Sequence, residues 1–179
     1  MTSLQIERTH PDLLATIARV FEPCGFDVEN LRREPESAEY AAYAFTLSGI
    51  EGRFRVAKTT PTKTGQFVTF WARNPAGPIR PYDLADPVEF LIVCVRKGGH
   101  FGQFVFSKSM LRHRGVVSTN HIGGKRAFRV YPPWDAALNR QAQRSQDWQR
   151  DVFLDMSPDG HIDLGRAKTL YGSISDNIP

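Results

Sequence analysis

The chain has no long hydrophobic run. Its longest, Phe90 to Val95, is far too short to span a bilayer, so no membrane partner is expected. It also has little cysteine: Cys24 and Cys94 sit in apolar contexts and form no CxxC pair, which leaves two buried reduced thiols as the expectation. The polar stretch Thr2 to Pro11 has none of the pattern of a signal peptide, and a cytoplasmic protein is the resulting expectation. The five histidines show no spacing that suggests a zinc site. No GxSxG context surrounds a serine, and Gly123-Gly124-Lys125-Arg126 is not a phosphate-binding loop of the GxxxxGK[ST] kind. Zinc-finger, RNP and helix-turn-helix signatures are missing too, which removes support for sequence-specific readout of bases. No internal repeat and no low-complexity tract breaks the 179 residues, so one domain over 1–179 is expected, large enough to bury its own core.

One absence is local. No acid occurs between Phe90 and Tyr131. From Glu51 to Val130 the chain carries 14 Lys and Arg against four acids, a balance of +10, and the two flanks together balance at −6. A basic centre between acidic flanks suggests one positive face, for which a polyanion is the natural partner.

The stretch RFRVAKTTPTKTGQFVTFWAR, Arg53 to Arg73, reads as two strands joined by a polar connection. Phe54 and Val56 point to one face and Arg53 and Arg55 to the other, so Lys58 starts from the core side and must reach water or meet an anion. The loop between the strands offers hydroxyls and Lys63 at strand ends. The N-terminal helix starts near Thr9-His10-Pro11-Asp12, carries Leu13, Leu14, Ile17, Val20 and Phe21 at helical spacing, and ends at Pro23 and Gly25. Asp27 to Ala38 reads as a charged connection with a short helix. Strands are expected over Glu39–Leu47, Val88–Val95, Phe101–Phe106 and Ala127–Tyr131, with a central strand, apolar on both faces, at Gln66–Ala72. Four prolines make Asn74 to Pro87 an ordered loop. Short helices are expected over Lys108–Arg114, capped by Ser107, and over Leu164–Tyr171. A long one over Ala136–Leu154 would bury Leu138, Ala142, Trp148 and Val152. Helix, strands and helix in this order predict an α+β fold, a mostly antiparallel twisted sheet flanked by helices.

FRVAKTTPTKTGQFVTFWAR, FGQFVFSKSMLRHRGVVS, KRAFRVYPPWD and QAQRSQDWQ, in this order and spacing, resemble the MepB family over residues 54–153. The resemblance implies an α+β fold related to restriction-endonuclease-like proteins and a capacity to bind DNA, so DNA is favoured over RNA as the partner. It implies no established enzymatic activity.

Three functions compete. The first is non-catalytic nucleic-acid binding, with Lys58, Thr60, Lys63, Arg73, Lys125 and Arg126 on phosphates and Tyr82 and Trp134 as candidates for stacking on bases. No metal ligands and no cofactor belong to that reading. The second is a metal-dependent nuclease of the PD-(D/E)xK plan, which needs Mg²⁺, two acids and a lysine. Lys58 suits the lysine, but Val56 stands where the acid should be, and no Asp or Glu lies two residues before any lysine. Glu39 or Glu51 could serve only if the site had migrated. The third is binding of a small anion such as a nucleotide. An enzyme is therefore the less favoured expectation.

Overall fold

In the computed structural model residues 9–74 and 77–175 are described; of the segments discussed above, Thr2 to Arg8 and Pro75 lie outside them. Helix α1 starts at Pro11–Thr16, with the His10 ring nitrogen Nδ1 accepting from the Asp12 amide at 3.1 Å. It runs on through a π-helical stretch, Ile17–Phe21, to a last turn, Glu22–Cys24, which Gly25 closes at φ 77°. The strands are β1 Val28–Arg33, β2 Tyr43–Leu47, β3 Ile50–Val56, β4 Lys58–Thr60, β5 Lys63–Thr69, β6 Ala72–Arg73, β7 Ile79–Arg80, β8 Phe90–Lys97, β9 His100–Ser107, β10 Ala127–Val130 and β11 Phe153–Asp155. A single 3-10 turn, Ala38–Tyr40, and helices α2 Lys108–His113, α3 Arg140–Arg150 and α4 Leu164–Ser175 complete the described elements.

The main sheet has the order β1-β2-β3-β8-β9-β11, and only β3 and β8 run parallel. The expected α+β class and mostly antiparallel sheet are thus present. Two-residue turns set the register: Ser48-Gly49, both at positive φ, joins Leu47 to Ile50, and Gly98-Gly99 joins Lys97 to His100. Strand β8 alternates between two cores. Phe90, Ile92 and Cys94 face α1 and α4, while Leu91, Val93 and Val95 face the second sheet described below. Both cysteines are free thiols, Cys94 buried as expected and Cys24 only half-buried; burial, then the nearby Asp12 charge, pushes the Cys94 thiol up.

Residues 28–33 form a strand where a loop with a short helix is expected. They are the sheet's outer edge, with Glu29, Asn30, Arg32 and Arg33 exposed and a bulge between Glu29 and Arg32. An edge strand needs few apolar residues, and charge on it guards against pairing with another chain. Helix α3 is also shorter than expected: it begins after the Asn139 cap and stops at Arg150, so Phe153 to Asp155 can pair with β9. Leu138 is 79% exposed, and the helix buries Ala142, Gln146 and Gln149.

Those glutamines have a clear task. Gln149 Oε1 accepts from the Tyr131 amide at 2.7 Å and its Nε2 donates to the Arg129 carbonyl at 3.0 Å. A side-chain amide thus replaces a neighbouring strand on the free edge of β10. Replacing Gln149 by Leu leaves a buried N–H and C=O unpaired, and we expect a loss of about 1–3 kcal/mol. Urea unfolding of the variant checks it.

Candidate functional site

A second sheet, β10-β5-β4, is antiparallel throughout and hangs from Ala57, the single residue between β3 and β4. Its inner face is apolar: Val68, Phe70 and Val130 join the core under β8. On its outer face Lys58 and Arg129 both stand opposite Phe67, one from each neighbouring strand. The Arg129 guanidinium lies 5.8 Å from the Phe67 ring centre. It also donates to Thr60 Oγ1 at 2.8 Å and to the Gly65 carbonyl at 3.1 Å, which pins the hairpin tip carrying Lys63. Lys63 is exposed at this tip, beside a groove of about 360 Å³ formed by the threonine loop and Asp135 to Leu138. Lys125 and Arg126 are exposed at the opposite end, where the Arg126 carbonyl accepts from the Phe70 amide at 2.9 Å. Lys58, Thr60, Lys63, Arg73, Lys125 and Arg126 therefore all sit on or beside one small sheet.

The connection from β1 to β2 crosses that outer face. Its base is closed by the Glu34 amide donating to the Ala42 carbonyl at 2.8 Å. Glu39 meets Lys58 at 3.2 Å, and Glu36 meets Arg73 at 3.3 Å. Between them the Thr69 hydroxyl donates to Ser37 Oγ at 2.8 Å, and the Tyr40 ring lies edge-on to Phe67 with centroids 6.2 Å apart. Lys58 Nζ is 4.9 Å from the Tyr40 ring centre, so Lys58 finds both an anion and an aromatic surface there. Ser37 and Ala41 hold φ of 56° and 47°, a left-handed conformation that costs a residue with a Cβ about 1–2 kcal/mol.

Beneath the same connection lies a charge cluster that sequence reasoning leaves unresolved. Arg53 and Arg55 are 6% and 1% exposed. Glu34 joins them, Oε1 to Arg53 Nε at 3.1 Å and Oε2 to Arg55 Nη2 at 2.7 Å, while Glu51 takes Arg53 Nη1 at 2.9 Å. Tyr82 closes the group with its hydroxyl 3.2 Å from Arg53 Nε. Burial on its own would lower the Arg53 pKa, but Tyr82 and Glu34 beside it raise it; burial likewise raises that of Tyr82. The alternation in RFRV correctly sends both arginines away from Phe54. The neutralising carboxylate, 19 and 21 positions upstream, carries no local signal.

Two stacking candidates are corrected. Tyr82 is 7% exposed with its ring stacked on Phe70 at 4.3 Å, so no base could reach it. Trp134 has His100 stacked on one face at 5.0 Å and Phe153 against its edge, and is a piece of the core's rim. Lys108, expected on a basic helix face, points inward to Glu89 at 2.6 Å and to two loop carbonyls. The proline-rich loop is held by Asp83, which accepts from Ser118 Oγ and from the His121 and Ala85 amides, and these bonds lower its carboxyl to about 2. Among the described residues no group of three or more His, Cys, Asp or Glu is arranged to hold a metal ion, and no helix is long and apolar enough to cross a membrane.

The architecture defines a class: a mixed α+β protein in which a mostly antiparallel six-stranded sheet has α1 and α4 on one face and carries a small cation-bearing sheet, with α2 and α3, on the other. The MepB-like family profile matches residues 34–155, and the chain belongs to that family. A structure described as the crystal structure of MepB is 32% identical to it, with a TM-score of 0.70 over 87% of this chain and 98% of that one. No curated protein matches the chain.

Two outcomes follow from the buried charges. Replacing Glu34 by Ala strands the buried Arg55 guanidinium and leaves Arg53 with Glu51 as its carboxylate, and should cost about 3 kcal/mol, read from the urea midpoint. Asp83 has a depressed carboxyl, so its contribution is complete above its ordinary value of 3.8 and fades as pH falls from there to about 2. An Asp83→Asn variant should be less stable at neutral pH and lose less further stability across that window, measured by urea unfolding at each pH.

Proposed function

We propose that this chain is a non-catalytic nucleic-acid-binding protein that contacts phosphates through the cations of the small sheet. The observation that carries the reading is convergence. Residues from two separate stretches, at 58–63 and 125–129, line one sheet whose seven-residue strand β5 is about 24 Å long, and Arg73 stands beyond it on β6. Lys63, Lys125 and Arg126 are exposed with no ion-pair partner among the described residues, so their charge is available to an external anion. Thr59, Thr60 and Thr62 on the same hairpin add hydroxyls of the kind that commonly accompany cations at phosphates. DNA is the favoured polymer through the family resemblance alone. Catalysis is not part of the reading, because the carboxylates nearest Lys58 are already engaged: Glu39 by Lys58 itself, Glu34 and Glu51 by buried arginines.

Replacing Lys58 and Lys63 together by Ala should weaken DNA binding at least tenfold, about 1.4 kcal/mol, with the fold intact. Fluorescence anisotropy against labelled DNA over a salt series measures it, with circular dichroism on the same samples. Unchanged affinity in the double variant would overturn the reading.

A further inference from the structure

The outer face of the small sheet carries more than charge. Phe67 is half-buried between two cations, and Trp71, in the short connection from β5 to β6, is half-buried with the Arg73 guanidinium 5.5 Å from its ring centre. Aromatic rings on a sheet with flanking cations are what unpaired bases stack on, while the phosphates pair with the cations. A duplex hides its bases inside the stack and gains nothing from such rings.

In the structure the 36–40 connection occupies this platform, group for group. The Glu39 carboxylate sits on Lys58 and the Glu36 carboxylate on Arg73, where phosphates would sit. The Tyr40 ring lies against Phe67, where a base would lie. We infer that the platform is a binding site for single-stranded nucleic acid and that the 36–40 segment is an internal competitor for it. The inference rests on the nucleic-acid-binding reading above and names its ligand class and its control.

The segment is built to move as a unit. Its base is anchored by Glu34, half-buried and paired with the buried Arg53 and Arg55, and by the Glu34–Ala42 backbone bond, so it lifts from a fixed root. Both Ser37 and Ala41, which bracket the single helical turn Ala38–Tyr40, are held at positive φ and relax when the segment leaves the sheet. A cleft of about 400 Å³, lined by Arg33, His10 and Lys58, opens beside the exposed Ala38 and Glu39, while the buried Tyr40 ring is the segment's main hold on the sheet. Both ion pairs are solvent-exposed, hence individually weak and easily exchanged for phosphates. An exposed pair of this kind tunes affinity without blocking it.

The test is fluorescence anisotropy with a labelled single strand and the duplex of the same sequence, comparing the full chain with its E36Q/E39Q variant over a salt series. The glutamines keep the shape and remove the charge. The variant should bind the single strand about tenfold more tightly than the wild type. Its salt slope should steepen by about 1.4, two additional phosphates at roughly 0.7 each. Both forms should prefer the single strand. Equal affinity of the two proteins would overturn the competitor while leaving the binding reading standing, and preference for the duplex would overturn the platform. No binding by either protein at low salt would overturn both this inference and the function it rests on. Should the variant fold poorly, hydrogen exchange on the wild type decides. The Tyr40 and Ala41 amides, bonded to the Ser37 and Ala38 carbonyls, should exchange faster with saturating oligonucleotide, and unchanged or slower exchange would count against the inference.

Discussion

Glu34 is the constraint on which the other features rest. One carboxylate bridges two arginines that a central strand has sent into a dry interior, and it does so from the last position before the connection that crosses the small sheet. Burying three charges is expensive, and their mutual attraction offsets the cost only when geometry and additional hydrogen bonds are good. Here Glu51, Tyr82 and the carbonyls of Gly52 and Phe54 supply those bonds. Arg55 Nε and Glu34 Oε2 are left without an aligned hydrogen bond, Oε2 being held to Arg55 Nη2 by charge at 2.7 Å, so the cluster is not fully satisfied. A hydrophobic replacement of the whole group would serve stability as well or better. What the charges add is orientation: an apolar root could slide, whereas a carboxylate gripped by two guanidinium groups fixes where residues 35–41 emerge.

The same economy of position appears in the small sheet. It has one apolar face to bury and one face to present, and it needs both of its edges handled. The Lys58 strand leaves the main sheet through Ala57, whose amide still bonds the Cys94 carbonyl at 2.9 Å, so the two sheets share a rigid corner. On the far edge Gln149 substitutes for a strand. The tip is fixed by Arg129, whose guanidinium ties Thr60 and Gly65 together and so stiffens the loop carrying Lys63. Arg129 is thus partly spent on structure, unlike Lys63, Lys125 and Arg126. Cations on a surface differ in what they can offer a ligand, and the partners they already hold decide it.

Much of the fold was legible in the chain because it rests on local rules. Apolar runs in β8 and β9, the glycine turns between strands, the Ser107 cap and the proline at the start of α1 each announce themselves within a few residues. The misses share a physical cause, which is that the deciding partner is distant in sequence. Strand β1 exists because β2 is there to pair with it. Helix α3 buries Gln149 because β10 presents an unpaired edge, and Gln146 because the Pro132 and Asp135 carbonyls need a donor, and no periodicity of apolar residues could reveal a stripe made of amides. Tyr82 looked like an exposed aromatic in a proline-rich loop, yet Phe70 and Arg53 hold it inside. Among candidate site residues, types and strand ends were readable. The carboxylates that neutralise two of them, Glu36 and Glu39, were not, since they lie in a segment that reads simply as charged.

That last point bears on how the charge asymmetry of the sequence should be weighed. Acidic flanks around a basic centre look like compensation at a distance, yet part of the N-terminal flank folds directly onto the cations it appears merely to balance. Net charge alone would then overstate the positive potential felt by an approaching polyanion, because Lys58 and Arg73 are already paired. Exposed pairs contribute little to stability, on the order of 1 kcal/mol at most, so the fold has small need of them. Two such pairs nevertheless stand on one connection, bracket one aromatic contact, and are reached through left-handed backbone that costs energy to hold. Burial of the Tyr40 ring already holds the connection to the sheet, so the two exposed pairs add little to that hold. The competition inferred above would use them, since a competitor must bind weakly enough to be displaced and must imitate the groups that displace it.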